Sequence, residues 1–228
     1  NIPLRPDRIS TPAVEAVFEN LLPEGVLREI LSRETKSTST FALLRAIAGD
    51  TAGNLTILPA GSQPEASSHK SIDWHWIARH FAGGHQGQSG HSAAAPLGSR
   101  ISLSGAQTKM LISIDAAGQP LLPLGSTPST WIVKPNIRGF DKVWSSAVNE
   151  AILMRAAAHC GMNVAESFFE PVTRACVVKR FDRIPGPGGS IARLQQYDFC
   201  QLSGMESVKK YEIEGGPGIA QCAEWFCR

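Results

Sequence analysis

Lys134 closes the apolar run Trp131-Ile132-Val133 and is followed at once by Pro135. A cation at the end of a buried strand is placed to hold phosphate oxygens, the task such a lysine performs in phosphoryl-transfer sites. The plain alternative is a solvated strand-end lysine. Glu150, in a helical stretch further on, could pin that lysine or simply be solvated. Upstream, Ser102-Leu103-Ser104-Gly105-Ala106-Gln107 is a run of small residues whose backbone N–H groups could approach phosphates closely. By itself it also reads as an ordinary turn between strands. It is not a Walker loop, because G-x-x-x-x-G-K-[ST] is absent.

Other chemistry-bearing residues point nowhere so specific. His69, His75, His80, His85 and His91 crowd one region, but without the i, i+4 spacing of a helical zinc pair, so a polar segment is expected and no metal. Cys160, Cys176, Cys200, Cys222 and Cys227 are odd in number and contain no C-x-x-C, which predicts reduced thiols in a cytoplasmic protein. Gly215-Gly216-Pro217-Gly218 precedes a helix and reads either as an anion cradle or as a plain turn. The net charge of +2 argues against a chain that coats nucleic acid. No apolar run approaches the ~20 residues that span a bilayer.

The elements that must position these residues follow from periodicity. Apolar residues at helical spacing predict helices over the first sixty residues, with Pro12 in a first turn and a short strand at Leu55–Leu58. Residues 61–99 are rich in Gly, Ser, Ala and His and read as a linker enclosing one helix around Trp74, Trp76, Ile77 and Phe81. Strands are then expected at 110–114, near 121–122, at 131–134, 167–170 and 175–181, with a helix from Ser145 to His159 inserted after the third. Further helices begin near Gln195 and near Gly218. A sheet with one helix after its third strand, a lysine ending that strand and a glutamate in the helix is the plan of a protein-kinase small lobe. The fold class is therefore α+β: an antiparallel sheet plus helix, a helical N-terminal subdomain, and the start of a helical large lobe. The expected division is 1–66, helical; 67–99, linker with a helix; 100–189, nucleotide-binding lobe; and 190–228, entry to the large lobe. Both termini look like cuts through a larger protein, since the sequence starts at Asn1 without Met and stops at Arg228 inside an amphipathic run.

Several blocks, taken in order, resemble the HipA-type serine/threonine kinase toxins. They are Phe18-Glu19-Asn20-Leu21-Leu22-Pro23-Glu24-Gly25; Gly49-Asp50-Thr51-Ala52-Gly53; Ser102-Leu103-Ser104-Gly105-Ala106-Gln107-Thr108-Lys109, similar to S-x-x-G-A-Q-x-K; Thr127 to Pro135; Asn149-Glu150; Arg180-Phe181-Asp182-Arg183; Leu194 to Gln201; and Lys210 to Gly218. The resemblance implies an ATP- and Mg2+-dependent kinase toxin of a bacterial toxin–antitoxin pair. Its substrate would be an aminoacyl-tRNA synthetase. Its partner would be a HipB-like helix-turn-helix antitoxin, with DNA reached only through that antitoxin. It further implies that Ser104, Gly105, Ala106, Gln107, Lys134 and Glu150 serve the nucleotide phosphates, and that Lys179 and Phe181 offer hinge backbone groups to adenine. Asp182 would bind the ribose, or pair with Arg180 or Arg183. Ser102 matches the family's autophosphorylated serine, and Ser104 forms an S-x-S pair with it. The family's catalytic D-x-H-x-K-N loop and metal aspartate are not found, and no aspartate follows Asp198. The catalytic residues are accordingly expected beyond Arg228, and the chain by itself is expected not to transfer phosphate. The alternative from another class is a non-catalytic module that binds nucleotide or antitoxin.

Overall fold

The computed structural model describes residues 12–47, 49–58, 60–83, 107–137 and 143–226. Three helices open it: α1 (Pro12–Glu19), α2 (Gly25–Thr35) and α3 (Thr40–Ile47). Their apolar faces converge on Leu21, Leu22, Leu31, Leu43 and Leu44. Residues 55–58, expected as a strand, form none. Apolar content suggests a strand there, but a strand also needs a partner backbone, and Ile57 instead packs its side chain onto the helical core.

The centre is a six-stranded antiparallel sheet in the order β1-β3-β2-β4-β6-β5. Its strands are β1 (Ser68–Ser71), β2 (Met110–Ile114), β3 (Pro120–Leu124), β4 (Trp131–Lys134), β5 (Ser167–Glu170) and β6 (Ala175–Lys179). β1 corrects the reading of this stretch as linker. Ser-His-Lys-Ser carries no apolar signal because every one of its residues is exposed at the sheet's edge, where polar side chains are the norm. Its pairing is through backbone alone, Ser68 opposite Leu124 and Ser71 opposite Leu121. Helix α4 (Trp74–Gly83), also expected within the linker, packs on the sheet through Ile77, which is fully buried.

The sheet's two faces follow from strand alternation. On one, Ile112, Val133, Ala175 and Val177 meet Ile77 of α4. On the other, Cys176 and Val178 meet Ala147 and Ala151 of α5 (Ser146–His159). Burying each Val or Ile of the first face stabilises the sheet by roughly 1.5–3 kcal/mol before entropy is counted. The alanines matter for a different reason: their small side chains let α5 lie close to the sheet. A hairpin of β7 (Arg183–Pro185) and β8 (Ile191–Arg193) follows. Helices α6 (Phe199–Ser203) and α7 (Ile219–Phe226) come last. α6 begins in a capping box: the Asp198 carboxylate accepts from the Gln201 N–H, and the Gln201 side chain accepts from the Asp198 N–H.

Candidate functional site

Lys134 lies on the α5 face of the sheet, two positions along β4 from Ile132. Glu150 lies on the face of α5 that buries Ala147 and Ala151, since positions three and four apart share a helix face. The start of α5 is fixed to the segment just after Lys134. The Ala147 N–H donates to Asn136 Oδ1 (3.0 Å), and the Ile137 N–H donates to Ser146 Oγ (2.8 Å). These two bonds set the helix against the strand end. The result is an ion pair, Lys134 Nζ to Glu150 Oε1 at 2.7 Å, with the two side chains 27% and 30% exposed. That is enough shielding to make it stronger than a solvated surface pair, and enough exposure for a ligand to reach the amine.

The surroundings are rich in amines. The register Met110 opposite Val133 brings Lys109 beside Lys134 across β2 and β4. Burial pushes the Lys109 amine down to about 8, and the charges of Lys134 and Lys210 push the same way, against Glu24. Lys210 is held by Glu24 at 2.8 Å, and its pKa is raised: burial alone would lower it, but the Glu24 hydrogen bond and charge outweigh that. Cys176, opposite Lys134 on β6, is pushed up to about 11 by burial and then by Glu150, so its thiol stays protonated and is not a nucleophile at neutral pH. Gln107 donates from Nε2 to the Pro135 carbonyl at 3.0 Å. The end of the small-residue loop is thereby tied to the residue after Lys134. Ser102, Ser104, Gly105 and Ala106 lie outside the described residues.

The hinge segment shows where sequence reasoning was incomplete. β6 ends at Lys179, earlier than Phe181; the Arg180 N–H still continues the pairing with β4 by donating to the Thr130 carbonyl at 2.8 Å, and no such bond follows at Phe181 among the described residues. The Lys179 N–H donates to the Glu166 carbonyl at 2.8 Å. Phe181 is 70% exposed, and among the described residues its N–H has no backbone acceptor. Its neighbours are the reverse: Arg180, Asp182 and Arg183 are all buried. Of the roles left open for Asp182, pairing with both arginines is the one present. Its Oδ1 accepts from Arg180 Nε (2.9 Å), and its Oδ2 from Arg180 Nη2 (2.8 Å), Arg183 Nη1 (2.9 Å) and the Gly53 N–H (2.8 Å). Burial pushes this carboxyl up, yet the Arg180 hydrogen bond and charge, the Gly53 amide and Arg183 together hold it below its usual value. Asp182 is only 3% exposed, with three hydrogen bonds on Oδ2 and one on Oδ1.

The second carboxylate of this cluster, Asp50, did not figure in the sequence reading as a site residue. It comes from the N-terminal part and accepts from Ser129 N–H (2.9 Å), Ser129 Oγ (2.6 Å) and Arg183 Nη2 (2.8 Å). The only signal for it was the block Gly49–Gly53 itself, which carries no hint of a partner far along the chain. The Gly215–Gly218 turn is tightly packed. A Cβ on Gly216 would sit 2.1 Å from the Lys209 carbonyl oxygen, and one on Gly218 would sit 2.7 Å from Glu212 Oε1. A carboxylate thus already faces the start of α7. His80 stacks on Trp76 and is lowered by burial; His85 and His91 lie outside the described residues. So do Cys227 and Arg228. Among the described residues no helix is long and apolar enough to cross a membrane.

Comparison with known proteins gives a consistent picture. Residues 101–228 match the family model described as HipA-like C-terminal domain, and residues 1–58 match the HipA N-terminal domain. The chain is 34% identical over 241 residues to a Sinorhizobium fredii protein named as a putative kinase, Y4mE, covering 100% of this chain and 55% of that protein. It is 33% identical over 204 residues to the serine/threonine-protein kinase toxin HipA of Shewanella oneidensis, covering 87% of this chain and 45% of that one. A solved Shewanella oneidensis complex of HipA, HipB and operator DNA superposes with a TM-score of 0.69 at 29% identity, over 92% of this chain and 48% of that chain. The chain spans about half the length of these relatives.

Proposed function

The chain belongs to the HipA family of kinase toxins, and on that premise we propose that it carries the nucleotide-binding lobe of an ATP-dependent protein serine/threonine kinase. The observation that supports this reading best is the Lys134–Glu150 ion pair at 2.7 Å, joining a strand-end lysine to a helix glutamate. In this reading Lys134 holds the nucleotide phosphates, and Glu150 keeps the amine aimed at them. The segment Ser104-Gly105-Ala106-Gln107 offers backbone N–H groups to the same phosphates. The backbone of Lys179 and Phe181 meets adenine, with the Phe181 N–H as donor. Asp182 serves by holding the hinge rather than by touching ribose.

ATP fits the amines gathered here, Lys134, Lys109 and Lys210, which suit an anionic ligand. Mg2+ accompanies the nucleotide phosphates in this chemistry. Among the described residues no three His, Cys, Asp or Glu side chains converge to hold it, and no step is assigned to it. Ser102 and Ser104 are the proposed sites of autophosphorylation. A phosphate there adds about −1.5 to −2 charges beside the site and displaces the nucleotide. The partner is a HipB-like helix-turn-helix antitoxin, with DNA contacted only through it; the neighbour solved with HipB and operator DNA supports this. The substrate is an aminoacyl-tRNA synthetase, in the cytoplasm.

A second reading is a module that binds nucleotide or antitoxin without catalysis. One experiment separates the two. The protein as its gene encodes it is incubated with Mg2+, labelled ATP and purified synthetases. Label on a synthetase serine supports the kinase reading. ATP binding with no transfer supports the module. No binding of ATP at all overturns the kinase reading and leaves only a module that binds the antitoxin.

A further inference from the structure

The buried cluster around Asp50 lies outside everything the nucleotide site uses directly, yet it is built from three distant parts of the chain. Asp50 and the carbonyl groups of Thr51 and Gly53 come from the N-terminal part. Ser129 comes from the loop before β4. Arg180, Asp182 and Arg183 come from the hinge. All of the side chains involved are at most 5% exposed. The Thr51 carbonyl accepts from Arg180 Nη2 and Arg183 Nη2, both at 2.9 Å, and the Gly53 carbonyl accepts from Arg183 Nη1 at 2.9 Å. Ser129 Oγ donates to Asp50 Oδ2 at 2.6 Å and accepts from Arg180 Nη1 at 2.9 Å. Gly53 has to be glycine: its φ is +77°, and a Cβ would stand 3.0 Å from the Gln196 N.

Phe181 sits in the middle of this arrangement without belonging to it. Its two sequence neighbours are both anchored, Arg180 and Asp182 by side chain, and Arg180 also by its N–H to Thr130. The Asp182 carbonyl is fixed by the Leu194 N–H at 3.0 Å. With both flanks held, the Phe181 peptide has little freedom to rotate. Asp50 reaches the two flanks through its partners: Ser129 Oγ, which donates to it at 2.6 Å, accepts from Arg180 Nη1 at 2.9 Å, and Arg183, which donates to it at 2.8 Å, also donates to Asp182 Oδ2 at 2.9 Å.

We propose that Asp50 of the N-terminal subdomain is a positioning residue for the nucleotide base, clamping the hinge through Ser129, Arg180 and Arg183 so that the Phe181 backbone is pre-set for adenine. The N-terminal subdomain is thereby part of the nucleotide site without touching the nucleotide. This rests on the kinase reading above. It makes a prediction that a general stabilising role does not. Loss of the clamp disturbs recognition of the base and leaves the phosphate contacts at Lys134 intact.

The test compares two anions. Mg-ATP and inorganic tripolyphosphate are titrated calorimetrically into the protein as its gene encodes it, and into Asp50→Asn and Ser129→Ala. Circular dichroism confirms folding at the titration temperature. Ser129→Ala removes a single hydroxyl and decides the matter if Asp50→Asn does not fold. The expected result is about a tenfold loss of ATP affinity, the size of one hydrogen bond to the base, with tripolyphosphate affinity unchanged. Equal losses for both anions, or no loss for either, overturn the clamp while leaving the kinase reading in place. Failure of the native protein to bind ATP overturns the kinase reading and the clamp together.

Discussion

Replacing Lys134 by Met keeps the stem that packs along β4 and removes the charge. The amine lies 2.7 Å from Glu150 and is 27% exposed, so its hydrogen bonds to phosphate form in a partly water-excluded site. A hydrogen bond involving a charged group contributes about 1.5–3 kcal/mol, which corresponds to a loss of roughly 10- to 150-fold in ATP affinity. Global stability should move far less, because partly exposed ion pairs contribute only about 0–1 kcal/mol. A milder change, Glu150→Gln, keeps an acceptor within reach of the lysine and removes only its counter-charge. Its ATP affinity should fall between native and Lys134→Met. Calorimetric titration of Mg-ATP into the three forms, with melting curves beside it, separates binding from stability. If Lys134→Met binds ATP within about twofold of native, far short of the loss expected for a charged hydrogen bond, the lysine does not hold the phosphates and the placement of the site is wrong.

Other perturbations test the supporting architecture. Ile77→Ala empties the fully buried contact between α4 and the sheet and should cost about 2–5 kcal/mol in denaturant unfolding; a cost below about 1 kcal/mol would mean that α4 is not packed there. Glu19, bound by Ser207 and Arg28, is held below its ordinary value of 4.5: burial pushes it up, but the Ser207 and Arg28 hydrogen bonds outweigh this. A carboxylate with a depressed folded pKa stabilises above its unfolded pKa, and that stability is lost as pH falls through the folded one. Stability should therefore drop below pH 4.5 in native protein more steeply than in Glu19→Gln; identical slopes would remove Glu19 from that contact. Lys109, lowered to about 8, should acylate at lower pH than the other lysines. Its half-labelling pH should rise in Lys134→Met, where one of the cations repelling it is gone; a constant value would show that the two amines do not feel one another.

The parts of this protein legible from sequence are those encoded locally. Lys134 announces itself because an apolar strand ends in a cation and a proline. Glu150 is legible only as a glutamate in the helix after that strand; which face that helix buries is not, since Ala147 and Ala151 are buried while Ile152 and Leu153 are 59% exposed. The α+β class and most strands come from the same periodicity. What escapes is whatever depends on distant backbone. β1 is Ser-His-Lys-Ser, whose pairing with β3 leaves no trace in side-chain pattern. Residues 55–58 have the composition of a strand and lack the partner that would make them one. Arg180-Phe181-Asp182-Arg183 shows a carboxylate between two arginines, but the sequence does not reveal that Asp50 and Ser129 close the same cluster. Burial decides the role of Asp182, and burial of a polar residue is a tertiary property.

The central claim is that a nucleotide's phosphates lie against Lys134. An acyl-phosphate derivative of ATP transfers its acyl group to an amine beside the bound phosphates, and peptide mass spectrometry locates it. With Mg2+ present, the account predicts acylation at Lys134, accompanied by its neighbour Lys109, and suppression of both by excess ATP. Acylation confined to other lysines, or acylation that ATP does not suppress, would contradict it.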